Sequence, residues 1–300
     1  MQNLTIIGID HGYGNMKTAH CCFPSGVTAH GTKPPIFNQD VLIYEGQYYS
    51  IGTHHKEFTA DKVQDEDFYI LTLAAIASEL RYRATVNARV HLAVGLPLTW
   101  IGKQKEQFKA YLLKNREVDF KFNDIPYHIE FKGVDMYPQG FAAVANRMEE
   151  FTGLNMLADI GNGTMNIMYI NDGIPDRDRC FTEKFGTHQC MLAAKEALLR
   201  DTGKNVHEAV IEQVLRTGMA DISEKYIDII YTVATEYVEG IFSKLREHEY
   251  DPDSMRLFVV GGGGCLIRNF GHVDPLRVTI LDDICATAKG YEAAAKMQFE

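Results

Sequence analysis

The chain has 300 residues, of which 46% are hydrophobic and 23% are charged. This length and composition predict one large domain or two ordinary ones with a sizeable core, and they exclude a disordered chain. Forty acidic against thirty basic residues give a formal net charge of −10, which argues against direct, non-specific binding of nucleic acid because such binding needs a basic face.

Hydropathy and cysteine usage argue against a membrane-spanning, secreted or zinc-binding protein. There is no run of about 18 apolar residues, and the first residues lack a basic segment followed by an apolar one, so we expect neither a spanning helix nor a secretory signal. The six cysteines form no Cys-x-x-Cys pair. We therefore expect reduced thiols in a cytoplasmic protein, without structural zinc.

The first predicted element is a short, apolar and β-branched strand over Leu4–Ile9. It ends at Asp10 and the glycine turn Gly12-Tyr13-Gly14, and a second strand is predicted to begin near Lys17. This order predicts the tip of a hairpin rather than a strand-to-helix loop.

The rest of the first half alternates between strand and helix patterns. Turn residues at Glu45-Gly46-Gln47 and Asn123-Asp124 predict two further hairpins. A buried strand followed by a turn is predicted over His91–Pro97. The apolar spacing predicts helices over Phe68–Thr85, Lys103–Lys114 and Gln139–Phe151.

The opening pattern returns about 150 residues later. Residues Asn155–Met168 again have a strand, an aspartate (Asp159), a glycine turn and a second strand. This repeat predicts a duplicated fold whose similar halves each supply one hairpin with an aspartate at its tip. Beyond it we predict helices over Leu192–Asp201, Val206–Thr217, Ser223–Glu247 and Asp283–Met297, and a strand, Leu257–Val260, that leads into four glycines.

The two aspartate hairpins predict a metal and phosphate site. Glycine turns allow backbone N–H groups to converge on an anion, because no Cβ blocks close approach. Asp10 and Asp159 can hold Mg²⁺ through water, and Lys17 can reach a phosphate oxygen. The alternative for each aspartate is capping of its own turn by an Asx motif.

The four consecutive glycines, Gly261 to Gly264, have a different expected role. A run without side chains allows a flat ligand, such as a nucleoside, to lie against the backbone; the alternative is a flexible loop. The segment Gly95–Lys103 ends in Gly-Lys but lacks both the spacing and the Ser/Thr of a P-loop.

The order of these segments resembles the actin-like ATPase superfamily, which includes actin, the bacterial rod-shape actin, the Hsp70 chaperones and the sugar kinases. Within it, Ile9-Asp10-x-Gly-Tyr-Gly-Asn-x-Lys is most similar to the plasmid-segregating actins of the ParM/StbA type. The five segments are similar to the first phosphate loop (Asp10–Lys17), the first connecting helix (Tyr137–Ala143), the second phosphate loop (Asp159–Thr164), the adenosine motif (Val259–Gly264) and the second connecting helix (Ala286–Ala294).

This resemblance implies an α/β fold of the actin-like, ribonuclease H-like duplicated kind, with two lobes around a nucleotide cleft. Lobe I is expected to comprise residues 1–145 and 281–300, with about 25–70 as its smaller subdomain. Lobe II is expected to comprise 146–280, with about 183–250 as its smaller subdomain.

The resemblance also implies a site for ATP or GTP with Mg²⁺. Asp10 and Asp159 would hold the water shell of the metal, and Gln139 would orient the attacking water. Tyr13 stands where conventional actin has Ser, so only its backbone N–H would serve there. The residues expected to contact the nucleotide are Gly12, Tyr13, Gly14, Asn15, Lys17, Gly161, Asn162, Gly163, Thr164, Gly261, Gly262, Gly263, Gly264 and Lys289.

The implied activity is nucleoside triphosphate hydrolysis coupled to polymerisation. Head-to-tail contacts that do not close produce helical filaments. Such filaments would segregate plasmid DNA through a ParR-type DNA-binding adaptor, with no direct contact to nucleic acid or membrane. The alternatives are a sugar or acid kinase of the same superfamily and a nucleotide-bound cytoskeletal scaffold that does not hydrolyse.

Overall fold

The structure is a computed structural model that describes residues 4–36, 40–53 and 66–299. The chain divides into two compact units, Met1–Asn146 with Cys285–Glu300, and Arg147–Ile284. The lobe and subdomain boundaries expected from the sequence stay predictions. In the described ranges, no helix combines the length and the apolar character needed to cross a bilayer.

The first unit is built on a mixed sheet. Its strands among the described residues are β1 (Leu4–His11), β2 (Asn15–Thr18), β3 (Cys22–Pro24), β4 (Val27–Gly31), β5 (Val41–Tyr44), β6 (Gln47–Ile51), β7 (Asn87–Leu96), β8 (Glu117–Phe122) and β9 (Ile125–Pro138). These nine strands pair in the order β3-β2-β1-β7-β9-β8-β5-β6-β4. The helices are α1 (Asp67–Tyr82), α2 (Leu98–Leu112) and α7 (Ala286–Phe299).

Two tight turns of this unit follow directly from their residues. Glu45 and Gly46 have φ values of 50° and 74°, and Asn123 and Asp124 have 51° and 61°. Positive φ at both central residues is the requirement of the two-residue turn that matches the twist of paired strands. The hairpins β5–β6 and β8–β9 predicted from these turns are confirmed.

Helices α1 and α7 pack on this sheet in different ways. Every residue of α1 from Phe68 to Leu80 is buried, as expected for an internal helix without a polar face. Helix α7 approaches β1 closely through Gly8, since a Cβ there would lie 2.0 Å from the carbonyl oxygen of Ala288. This contact holds the end of the chain against its first strand.

A buried ionic network joins α1, α7 and β2 in the first unit. The fully buried carboxylate of Glu79 accepts hydrogen bonds from Thr18 Oγ1 at 2.7 Å and Arg83 Nε at 2.9 Å, and contacts His20 Nδ1 at 2.7 Å. The Arg83 guanidinium also donates to Glu292 Oε2 at 2.8 Å. Arg83 therefore compensates two buried carboxylates at once.

The second unit has a smaller sheet. Its strands among the described residues are β10 (Leu154–Ile160), β11 (Met165–Asn171), β12 (Ile174–Glu183), β13 (Arg256–Val260) and β14 (Val278–Ile280). They pair in the order β12-β11-β10-β13-β14. Its helices are α3 (Thr187–Thr202), α4 (Glu208–Thr217), α5 (Glu224–Glu247) and α6 (Gly264–Phe270).

Helix spacing and glycine caps explain the helical layer of the second unit. Helix α5 buries one stripe at intervals of three and four residues: Ile230, Ala234, Val238, Ile241 and Leu245. Helices α3 and α4 end at Gly203 and Gly218, whose φ values of 67° and 80° suit a left-handed cap that only glycine adopts without strain.

The predicted duplication is confirmed by strand order and direction. The series β3-β2-β1-β7-β9 corresponds to β12-β11-β10-β13-β14. In both series the first three strands are antiparallel, and the last two run parallel to the strand that carries the aspartate. Each unit thus contains one copy of the same five-stranded pattern.

Some predicted elements were wrong or incomplete. The helix expected over Gln139–Phe151 is a 3-10 segment, Phe141–Glu150, interrupted at Arg147. Apolar spacing does not separate the two types, because residues three apart share a face in both. Helix α2 begins earlier than predicted, at Leu98, directly after the N-cap residue Pro97. The sequence reading also missed β3, β4, β12, β14 and α6.

Candidate functional site

The first aspartate hairpin forms a polar cluster inside the first unit. Asp10 and Lys17 pair across β1 and β2, and Lys17 Nζ lies 2.8 Å from Asp10 Oδ2. Gln139 Nε2 donates to Asp10 Oδ1 at 2.9 Å. Asp10 is only 5% exposed, so its charge is held by these two partners in a largely desolvated place.

The hydrogen bond to Asp10 determines which way the Gln139 amide faces. An ionised carboxylate only accepts hydrogen bonds, so the amide nitrogen must face it, and the amide oxygen lies on the other side. Gln139 follows β9, where its N–H donates to the Leu96 carbonyl at 2.9 Å, and Gly140 with φ 80° follows it. A strand end and a glycine turn therefore position this side chain.

The glycine turn of the first hairpin is held by hydrogen bonds from Ser25. A Cβ on Gly12 would lie 2.5 Å from the Asn15 carbonyl oxygen. Ser25 Oγ donates to the Gly12 carbonyl at 2.6 Å, and Ser25 N–H donates to the Gly14 carbonyl at 3.0 Å. Sequence reasoning missed Ser25. No local sequence pattern marks it, because it reaches the turn only when β3, which precedes it, pairs with β2.

The Tyr13 side chain belongs to the core rather than to the turn. It is buried, and its ring packs edge-on against Phe68 with the ring centroids 5.8 Å apart. The Tyr13 ring is therefore a packing group of the first unit's core.

The second aspartate hairpin has the same strand register as the first, but a different residue lies opposite its aspartate. Asp159 faces Asn166 across β10 and β11, with the same separation along the chain as Asp10 and Lys17. Asn166 Oδ1 accepts a hydrogen bond from Thr182 Oγ1 at 3.0 Å. The lysine of the first hairpin therefore has an uncharged counterpart in the second.

The loop of the second hairpin is fastened to the start of α3. The N–H groups of Thr187 and His188 donate to the carbonyls of Gly161 and Asn162 at 3.0 and 2.9 Å. A Cβ on Gly186 would lie 2.3 Å from the Asn162 carbonyl oxygen. Sequence reasoning missed this support, although Gly186 and Gln189 have the spacing of a capping box, and Gln189 Oε1 accepts from Gly186 N–H at 2.9 Å.

The four glycines turn β13 into the short helix α6. Gly261 has φ 83°, and a Cβ on it would lie 2.7 Å from Asp159 Oδ1. A Cβ on Gly263 would lie 2.2 Å from Ile160 Cγ2, and one on Gly264 would lie 2.7 Å from Ile280 Cγ2. Only at Gly262 would a Cβ meet no described atom within 4 Å.

The Cys265 thiol is part of the same turn. Its Sγ donates to the Gly262 carbonyl at 3.0 Å. Burial raises the pKa of the Cys265 thiol, and the nearby Arg268 opposes this shift without cancelling it. The protonated thiol is therefore the form that donates to the turn.

The glycine run supports a matched pair of substitutions. We expect Gly263→Ala to destabilise the protein by about 1–3 kcal/mol, because the new methyl group overlaps Ile160. Gly262→Ala should leave stability within about 0.5 kcal/mol, since the space around it is open. Urea unfolding of the two variants tests this difference, and equal losses would contradict the packing assignment.

The structure groups the predicted residues by unit. It brings Asp10, Lys17 and Gln139 into contact in the first unit, and places Asp159 against Gly261 in the second. Lys289 lies on the exposed side of α7 in the first unit. Its neighbour Gly290 is a packing residue, since a Cβ there would lie 1.9 Å from the Ala142 carbonyl oxygen.

Comparison with known proteins agrees with this architecture. Residues 8–141 match the model of a family described as actin-like proteins, N-terminal domain. No curated protein matches the chain. The archaeal actin homolog Ta0583 in complex with ADP is 20% identical with a TM-score of 0.74, and the match covers 99% of this chain and 100% of that one.

Two further solved structures are similar over the same extent. ParM of Bacillus thuringiensis with ATP is 14% identical with a TM-score of 0.70, and the match covers 100% of both chains. The Alp12 filament structure is 16% identical with a TM-score of 0.70, covering 99% of this chain and 100% of that one.

The chain therefore has the actin-like fold, as the sequence predicted. The resemblance to ParM predicted from the sequence is likewise confirmed at the level of the fold, and it extends to Alp12.

Proposed function

We propose that this chain is a filament-forming actin-like nucleotide triphosphatase. It binds ATP or GTP with Mg²⁺ and segregates plasmid DNA in the cytoplasm through a DNA-bound, ParR-type adaptor. The observation that carries the proposal is the pair of aspartate hairpins in matched register, Asp10 facing Lys17 and Asp159 facing Asn166. The ADP complex of Ta0583, the ATP complex of a ParM and the Alp12 filament support it by similarity.

The first hairpin fits a hydrated Mg²⁺ and a phosphate. Asp10 accepts hydrogen bonds from Lys17 and Gln139. A carboxylate at such a strand end can also hold Mg²⁺ through water, because Mg²⁺ keeps several of its waters in proteins. The Gly12 turn leaves no room for a side chain, so its backbone N–H groups can approach an anion.

The residues of the first unit also suit a hydrolytic step. The bound nucleotide supplies the phosphoanhydride bond, and its metal supplies charge neutralisation. Gln139 has its amide nitrogen on Asp10, so its amide oxygen can accept a hydrogen bond from a water and orient it. Lys17 provides positive charge beside the same turn. Phosphoryl transfer needs mainly such positioning and electrostatic stabilisation, so no protein nucleophile is required.

Assembly and hydrolysis can be measured on the purified chain. Light scattering in Mg-ATP and in Mg-GTP should rise above a critical concentration, and phosphate release should accompany it. Turnover that depends on a small acceptor molecule would instead indicate a kinase. Assembly without phosphate release would indicate a scaffold that does not hydrolyse nucleotide.

Gln139→Ala is expected to slow phosphate release about 100-fold, because the attacking water loses its orienting group. Nucleotide affinity and the critical concentration should remain close to those of the unmodified protein, since the amide contacts Asp10 and not the turn. Gln213→Ala, on the exposed face of α4, is the matched control. Equal phosphate release by the two variants would contradict the role given to Gln139.

A further inference from the structure

The second unit contains a pocket remote from its glycine turns. Its volume is about 550 Å³, within the range of small-molecule sites. Apolar walls come from α5, from the end of α6 and the segment after it, and from the start of β14: Val238, Phe242, Phe270, Val273 and Val278. Asp253 and Arg277 line it just before β13 and β14 begin, whereas Gly261 follows the end of β13. The pocket thus lies at the opposite end of β13 from the glycine turn that begins at Gly261.

Tyr250, which lines this pocket, has a buried hydroxyl with no hydrogen-bond partner among the described residues. Tyr250 lines the pocket and is 4% exposed, and its hydroxyl makes no hydrogen bond to any described residue. Burial raises the pKa of Tyr250 despite the opposing effect of Arg277, so the phenol stays protonated and can donate. A buried polar group without a partner is costly, which points to a ligand atom that accepts its hydrogen bond.

Two arginines line the same pocket, the half-buried Arg277 and the exposed Arg246. The half-buried Arg277 guanidinium donates to the Asp253 backbone carbonyl, which leaves most of its five N–H donors for another acceptor. Across the described residues, neither arginine forms an ion pair, although the charge of Arg277 adds to the effect of Ser254 in lowering the pKa of the exposed Asp251. In contrast, Arg268 of the same unit pairs with Asp282. The lining therefore offers guanidinium donors as well as the Tyr250 hydroxyl.

The rim restricts the charge of an occupant. Glu239, Asp253 and Asp274 line the pocket and are exposed to solvent. Their charges are partly screened, yet they disfavour a ligand with several negative charges, such as a phosphate ester. A single carboxylate, by contrast, matches the planar donor geometry of an arginine.

We propose that this pocket binds a small monocarboxylic acid with an aromatic or branched aliphatic body. The body packs against Phe242, Phe270 and Val273. The carboxylate accepts hydrogen bonds from the Tyr250 hydroxyl and the Arg277 guanidinium. This assignment does not depend on the proposed nucleotide site.

Calorimetric titration of the full chain, without nucleotide, with three probes tests the proposal. Indole-3-acetate, indole-3-acetamide and tryptamine share a ring and differ in the charge of the head group. We expect indole-3-acetate to bind at least about tenfold more tightly than the other two, because only it offers a charged acceptor. Absence of binding by indole-3-acetate, or tighter binding of tryptamine, would overturn the proposal.

Substitutions locate the binding and separate it from a structural effect. Arg277→Gln should weaken indole-3-acetate binding at least about tenfold, whereas Arg256→Gln, at an exposed position outside the pocket, should not change it. Tyr250→Phe should weaken binding and also raise the thermal midpoint of the free protein, because it removes an unpartnered hydroxyl. Unchanged affinity in both pocket variants would place the probe elsewhere and overturn the assignment.

Discussion

Asp159→Ala is expected to lower phosphate release about 1000-fold in both Mg-ATP and Mg-GTP. The Asp159 carboxylate lies at the tip of the second hairpin and is 8% exposed, so its charge is poorly screened and would act strongly on a Mg²⁺ ion bound beside it. Removing one preorganised electrostatic group from such a place typically costs two to three orders of magnitude in rate, roughly 10²–10³. A phosphate-release assay at saturating nucleotide measures the effect.

Two controls separate charge from packing at this position. Asp159→Asn keeps the shape beside Gly261 and removes only the charge, so it should lose nearly as much activity as the alanine variant. Asp228→Ala, on the exposed face of α5, should hydrolyse as the unmodified protein does. Full activity in Asp159→Asn would show that Asp159 serves the turn and not the metal.

Arg83→Met is expected to lower the free energy of unfolding by about 3–5 kcal/mol at pH 7. The substitution keeps the aliphatic stem but leaves the carboxylates of Glu79 and Glu292 buried without their shared cation. Arg81→Met, on an exposed position of the same helix turn, should change stability by less than about 0.5 kcal/mol. Urea unfolding followed by circular dichroism compares the two variants.

The Glu79 network also predicts a pH dependence of stability. Burial alone would raise the pKa of Glu79, but hydrogen bonds from Thr18, His20 and Arg83 outweigh burial and hold the pKa below its ordinary value of 4.5. Because the folded state lowers this pKa, its stabilisation is complete above pH 4.5 and is lost as the pH falls through the folded value. The difference between the unmodified protein and Arg83→Met should therefore shrink below pH 4.5. An undiminished difference at acidic pH would contradict this account.

Local patterns predicted much of the fold because they depend on neighbours in the sequence. The hairpin at Asp10 and its copy at Asp159 follow from apolar strands interrupted by glycine turns, and both are confirmed. The turn at Asn123-Asp124 follows from residues that tolerate positive φ. Strand β12 escaped detection because its alternating aspartates and arginines suit a charged edge strand and leave no apolar pattern.

The supporting contacts of the candidate site were not readable from the sequence. Ser25 holds the Gly12 turn, and Gly186 approaches the Asn162 loop, through contacts between segments that are distant along the chain. The hydrogen bond from Gln139 to Asp10 joins the end of β9 to the end of β1. Such pairings depend on strand order, which no local pattern encodes.

The amino-acid sequence by itself determined the two acidic hairpins, their repetition and the resemblance to actin-like proteins, because strand alternation and turn chemistry act over a few residues. Only the tertiary structure decided which glycines serve packing, since Gly263 and Gly262 differ solely in what surrounds them. It also decided that Arg83 joins Glu79 to Glu292 and that the Tyr250 hydroxyl is buried without a described partner. The physical reason is that burial and charge compensation are properties of the space around a side chain, and that space is filled by residues far away in the chain.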